Sequence, residues 1–128
     1  MECALGNAED APTRTVLVAD DEPTIRMLIR TVLERRGHRV LEASSAAEIF
    51  EVLDTERPDV LLLDVHLGED DGLAIGTGLR QERQYGSLKI VFMSGTGERR
   101  EIIRLSELWN VPILLKPFEL EALLDAVG

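Results

Sequence analysis

The sequence predicts an α/β fold, a parallel sheet covered by helices on both faces, and three observations carry that reading. Strand-like and helix-like patterns alternate five times after a polar segment Met1–Arg14, as chains built from successive βα units do. Four apolar runs, VLVA, VLLL, IVFM and ILL, are continuous rather than alternating, as strands buried on both faces must be. The chain has 128 residues, 45% of them hydrophobic, enough for one sizeable core but not two. We therefore expect a tail over 1–14 and a single domain over 15–128.

The elements follow in order. A first strand ends at Asp20. The stripe Ile25, Leu28, Ile29, Val32 and Leu33 then predicts a helix with Pro23 near its start and Gly37 as its stop. A second strand, about Arg39–Ala43, precedes a helix opened by the capping box Ser45-Ala-Ala-Glu48, with Ala46, Ile49, Phe50 and Leu53 on its buried face and Pro58 closing the unit. The third strand ends at Asp64. Asp70-Asp71-Gly72 reads as a turn and helix start, and the third helix covers roughly Gly72–Arg83. Gly76 and Gly78 lie inside it, each costing about 1 kcal/mol against alanine, so close packing against a neighbour is expected there. The fourth strand ends at Ser94, and a helix over about Glu98–Leu108 buries Ile102, Leu105 and Trp109, with Asn110 as a left-handed cap. The fifth strand ends at Lys116, and the last helix carries Leu120, Leu123, Leu124 and Val127.

Composition excludes several classes of function. A formal net charge of −10 repels phosphate backbones and anionic lipid, so neither nucleic acid nor membrane is expected as a partner of this chain alone. The only cysteine is Cys3, which rules out a disulfide framework and fits a reducing cytoplasm. No apolar stretch approaches the roughly 18 residues of a membrane span, and residues 1–14 lack a signal-peptide core.

Ligands of parallel α/β sheets bind beyond the carboxyl ends of the strands. If the four runs are neighbours, Asp20, Asp64, Ser94 and Lys116 converge at one edge, joined by Asp21. Three carboxylates there repel by about 4 kcal/mol per close pair at an effective dielectric near 20 and 4 Å. Lys116 supplies one positive charge and leaves the cluster negative. Hard oxygen ligands with room for water and phosphate suit Mg²⁺.

These residues carry a resemblance. Asp20-Asp21 after the first strand, Asp64 after the third, Ser94-Gly95 after the fourth and Lys116-Pro117-Phe118 after the fifth, across residues 15 to 127, resemble the receiver domain of two-component response regulators. The resemblance implies a flavodoxin-like (βα)5 three-layer sandwich with a five-stranded sheet of order 2-1-3-4-5. It implies that Asp64 accepts a phosphoryl group from a histidine kinase or phosphotransfer protein, and that the domain acts as a switch rather than a turnover enzyme. By the same resemblance, Asp21 and Asp64 ligate Mg²⁺ directly, Asp20 acts largely through water, and the His66 backbone carbonyl completes the protein share. Ser94 and the Gly95 amide would donate to the phosphoryl oxygens, Lys116 would neutralise charge, and Lys116-Pro117 would be cis. The surface of the fourth helix, fifth strand and fifth helix would receive a downstream protein or a second copy of the chain.

Two departures stand out. Leu67-Gly68 replaces the usual Met-Pro pair after the acceptor, and Ile113 occupies the place of an aromatic three residues before Lys116. The aromatic rotamer switch of the family is thus without its ring. His66 sits two places after Asp64, where a side chain can face an attacking water. Two other readings use the same residues: an interaction module that takes up no phosphate, and a Mg²⁺-dependent phosphatase working through an aspartyl phosphate. The filled chemical positions argue against the first. Against the second, Asp20 is followed by Asp21, Glu22 and Pro23 rather than by an acid two residues on, and no loop is long enough for a substrate cap.

Overall fold

A computed structural model of the chain describes residues 13–95, 100, 103–104, 107 and 110–128. Five parallel strands form one sheet: β1 (Thr15–Ala19), β2 (Arg39–Ala43), β3 (Val60–Asp64), β4 (Lys89–Ser94) and β5 (Ile113–Leu115), in the order β2-β1-β3-β4-β5. This is the expected 2-1-3-4-5 order. Helices α1 (Pro23–Arg35), α2 (Ala46–Glu56) and α3 (Gly72–Arg80), with a C-terminal helix Leu120–Val127, flank it. Arg100, Ile103, Arg104 and Glu107 are helical. The expected burial of Ile102, Leu105 and Trp109, and the tail Met1–Pro12 with Cys3, lie outside the described residues.

The continuous apolar runs are explained by what covers each face. Alternate side chains point opposite ways along a strand, so Val16 and Val18 meet Ile29 and Leu33 of α1 and Leu123 and Val127 of the C-terminal helix. Leu17, Leu61, Leu63 and Phe92 meet Ile49 and Leu53 of α2 and Leu79 of α3 on the other face. Every residue of VLVA, VLLL and IVFM is buried, and in ILL at the sheet edge Leu114 is buried between two half-buried neighbours, which is why the sequence shows no period of two.

Helix ends follow their local chemistry. Pro23 opens α1, where a missing N–H costs nothing. Gly37 closes it at φ 89°, its N–H donating to the Glu34 carbonyl at 3.0 Å. Ser45 caps α2, its Oγ accepting from the Glu48 N–H at 3.2 Å. The return arm of the capping box is displaced by one residue, since the Glu48 carboxylate accepts from the Ser44 N–H at 2.7 Å. Asp71 caps α3 by accepting from the Ala74 N–H at 3.2 Å.

Several expectations need correction. Phe50, expected on the buried face of its helix, is 41% exposed, and Leu28 and Leu120, members of the apolar patterns that predict their helices, are 53% and 51% exposed. Helix α3 stops at Arg80, and a separate 3₁₀ turn covers Arg83–Tyr85. Close packing explains Gly76, where an added methyl would fall 2.5 Å from Phe92 Cζ. It does not explain Gly78, where a methyl would meet nothing within 4 Å.

Candidate functional site

Strand register alone brings the chemical residues together. Ala19 pairs with Leu63, so Asp20 lies level with Asp64 where the strands end. Asp64 pairs with Met93, placing Ser94 one step further on, and Ser94 pairs with Leu115, placing Lys116 beyond it. The Lys116 N–H donates to the Ser94 carbonyl at 2.7 Å. The Lys116-Pro117 bond is cis.

At this edge Lys116 Nζ donates to Asp20 Oδ2 at 2.7 Å and to Asp64 Oδ2 at 3.0 Å. Asp20 and Asp64 are buried and Asp21 is exposed. The remaining oxygens are also held: Asp20 Oδ1 accepts from the Glu22 N–H at 2.9 Å and Asp64 Oδ1 from the His66 N–H at 3.0 Å. Each of Asp20, Asp21 and Asp64 offers a carboxylate oxygen within 4.8 Å of the others. Burial, the largest influence, pushes the Asp64 carboxyl above its ordinary value; the His66 amide and Lys116 oppose that rise and Asp20 adds to it. Burial alone would lower the Lys116 ammonium, but hydrogen bonds and charge from Asp20 and Asp64 outweigh it and the net shift is upward.

One ammonium among three carboxylates leaves an anionic pocket of hard oxygen donors. That donor set fits Mg²⁺, which takes one or two carboxylates together with waters and substrate phosphate.

The other expected residues sit nearby. Ser94 is buried, its Oγ donating to the Gly95 carbonyl at 3.2 Å. Among the described residues, nothing lies within 4 Å of a methyl added to Gly95. His66 is exposed, and with Leu67 it forms a two-residue antiparallel ribbon against Asp70 and Asp71. Leu67 is buried and Gly68 takes φ 61°. Ile113 and Phe118 both pack against the core. Asn110 has the left-handed conformation expected of it, at φ 55°.

Three residues have roles at the site beyond those the sequence assigns: Asp70 and Gly72, expected only as a turn and helix start, and Arg26. A methyl on Gly72 would fall 1.9 Å from the Asp64 carbonyl oxygen, so the start of α3 approaches the end of β3 as only glycine can. Asp70 Oδ2 accepts from the Ala46 N–H at 2.8 Å, tying the loop after Asp64 to the first turn of α2. Arg26 Nη1 donates to the Asp20 carbonyl at 2.6 Å while its Nε donates to Glu42 Oε1 at 2.8 Å. A signal for the last was present. Arg26 and Arg30 are like charges four apart on one helix, an unfavourable pair in isolation, and Glu42, which binds both guanidinium groups, compensates them.

Comparison with known proteins agrees with this geometry. The model of the response regulator receiver domain matches residues 16–128. Sporulation initiation phosphotransferase F of Bacillus subtilis is 28% identical over 112 residues, covering 88% of this chain and 89% of that protein. The phosphate regulon transcriptional regulatory protein PhoB of Pseudomonas aeruginosa is 32% identical, over 89% of this chain and 51% of its own length. The chain thus spans about half the length of that regulator. A putative response regulator from Chloroflexus aurantiacus superposes with a TM-score of 0.80 at 29% identity, covering 91% of this chain and 95% of that one. The trio Asp20, Asp21 and Asp64 matches the Mg²⁺-binding site of receiver domains.

Proposed function

From the premise that this chain belongs to the response regulator receiver domain family, we propose that Asp64 accepts a phosphoryl group from the phosphohistidine of a kinase or phosphotransfer protein and that the resulting acyl phosphate is a signal. The observation that carries this reading is Lys116, whose single ammonium bridges the buried carboxylates of Asp20 and Asp64 at 2.7 and 3.0 Å. In the reaction an Asp64 oxygen forms a bond to phosphorus, the phosphorus–nitrogen bond breaks, and the imidazole leaves. Mg²⁺, when bound, neutralises charge on the phosphoryl oxygens. Asp21 and Asp64 would hold it directly, Asp20 through water, and the His66 carbonyl would complete the set.

Phosphoryl transfer of this kind needs positioning and electrostatics more than covalent machinery. The His66 amide orients Asp64, leaving one oxygen toward Lys116. Lys116 would move from Asp64 to the new phosphoryl group. Ser94 would turn its hydroxyl from the Gly95 carbonyl to a phosphoryl oxygen, joined by the Gly95 amide. That movement biases a two-state equilibrium. The output surface would be β5, the C-terminal helix and the helical segment before them, facing a downstream protein or a second copy of the chain.

As a family, receiver domains are switches rather than turnover enzymes. We place the protein in the cytoplasm, with no nucleic acid or lipid partner for this chain alone; no described helix is long and apolar enough to cross a membrane.

Incubation with a small acyl phosphate and Mg²⁺, followed by intact-mass measurement, tests the assignment. One phosphate should be gained, and both Asp64→Asn and Mg²⁺ chelation should abolish the gain. Incorporation that persists in Asp64→Asn, mapped to another residue, would overturn it.

A further inference from the structure

We propose that Arg26 is the positioning residue of the metal-binding acids: its guanidinium fixes the plane of the Asp20-Asp21 peptide and thereby aims the Asp21 carboxylate. This rests on reading the acid trio as the Mg²⁺ site.

The two adjacent acids are held very differently. Asp20 is anchored through its side chain, with one oxygen on Lys116 and the other on the Glu22 amide, and its N–H donates to the Ala43 carbonyl at 3.1 Å. Asp21 is exposed, and no hydrogen bond from a described residue reaches its carboxylate. Its direction therefore depends on the backbone that carries it. The carbonyl of that preceding peptide belongs to Asp20, and Arg26 Nη1 holds it at 2.6 Å.

Arg26 is itself fixed. Its Nε donates to Glu42 Oε1 at 2.8 Å, and Glu42 Oε2 pairs with Arg30 Nη1. Arg30 Nη2 donates to the Val40 carbonyl at 2.8 Å. The Arg26 fork thus spans from edge strand β2 to the β1–α1 loop, two bonds in divergent directions that an ammonium on a flexible stem does not reproduce. Groups that orient metal ligands from behind are worth about 10- to 100-fold in metal affinity.

Electrostatics gives the test its sign. Removing a cation beside an anionic pocket should tighten the binding of another cation, because a repulsion is lost. Positioning predicts the reverse. We would titrate the folded protein with MgCl₂ by calorimetry, for the parent, Arg26→Gln, Arg26→Lys, Arg30→Gln and Asp21→Asn, with circular dichroism confirming that each is folded.

Arg26→Gln should weaken Mg²⁺ binding by about 10-fold or more. Arg26→Lys, which keeps the charge, should also be weaker than the parent. Arg30→Gln, which removes an equal charge and only loosens Glu42 while leaving the Arg26 bond to the Asp20 carbonyl in place, should weaken binding far less than Arg26→Gln, and an equal loss in the two variants would overturn the role of that bond. With an acyl-phosphate donor, saturating Mg²⁺ should restore phosphate uptake by Arg26→Gln, since Asp64, Ser94 and Lys116 are untouched. Parent-like or tighter binding by Arg26→Gln, full recovery by Arg26→Lys, or a defect that saturating Mg²⁺ does not lift would each overturn the role of Arg26. Mg²⁺ binding unchanged in Asp21→Asn would instead overturn the underlying site, and this inference with it.

Discussion

At the scale of single residues, the pocket sets stability against chemistry. Because burial raises the Asp64 carboxyl above its ordinary value of 3.8, the folded state holds that proton more tightly than the unfolded state. Stability contributed by Asp64 is therefore fully present below 3.8 and lost as pH rises through the raised folded value. Asp64→Asn should raise the melting temperature in metal-free buffer at pH 7, and its advantage should shrink as the pH is lowered through the carboxylate range. A variant that melts below the parent at pH 7 would show a structural role for the carboxylate that outweighs repulsion. Lys116 has the opposite sign. Its raised ammonium contributes stability fully present below its unfolded value of 10.5 and lost only as pH rises through the folded value. Lys116→Ala should destabilise the metal-free protein by about 3 kcal/mol, because two buried carboxylates lose their counter-charge; denaturant melts with and without Mg²⁺ should show part of that loss recovered by the metal. Both assignments were legible in the sequence, since each residue ends a continuous apolar run. Asp70 and Gly72 were not, because their partners are the backbone groups of Ala46 and Asp64, and a contact to backbone leaves no complementary side chain to read; Arg26 was legible only in part, its pairing with Glu42 signalled by the like charge of Arg30 but its bond to the Asp20 carbonyl by nothing.

At the scale of elements, α3 shows where sequence pattern and packing part company. Two glycines in one helix invite one explanation, yet they have two. Gly76 faces Phe92 at 2.5 Å from a would-be methyl, while Gly78 faces open space. Gly78→Ala should therefore stabilise by about 1 kcal/mol, the propensity difference alone. Gly76→Ala should destabilise by about 1–3 kcal/mol, since overpacking exceeds the propensity gain. Urea melts of the pair decide it, and equal effects at both positions would refute the packing account. The strands and the first two helices were legible because long runs and stripes carry a strong period. The two-residue ribbon His66–Leu67 with Asp70–Asp71 was not, since four residues hold no periodicity. Phe50 and Leu120 show a further limit: a stripe fixes the angle at which a side chain leaves its helix, but not how far the neighbouring element extends to cover it.

At the scale of the whole molecule, the parallel sheet gathers Asp20, Asp64, Ser94 and Lys116 at one end, and the sequence adds a formal charge of −10. Self-repulsion of that charge weakens the compact state. Any salt should relieve it by screening, so stabilisation by MgCl₂ has two separable parts. Screening is shared with NaCl at equal ionic strength and should be the same in every variant. Site binding is not shared: a ligand that binds only the folded state adds RT ln(1 + [L]/Kd), about 2.7 kcal/mol at 100 times Kd. For a chain of this size that corresponds to a rise in melting temperature on the order of 10 °C. We expect MgCl₂ to raise the midpoint well beyond ionic-strength-matched NaCl in the parent, and the excess to vanish in Asp21→Asn. Asp64→Asn should lose most of the excess while starting from a higher midpoint without metal, because it removes a ligand and a repulsion together. Differential scanning calorimetry across these salts measures both parts, and an excess that survives in Asp21→Asn would mean that Mg²⁺ stabilises the fold from somewhere other than the end of the sheet.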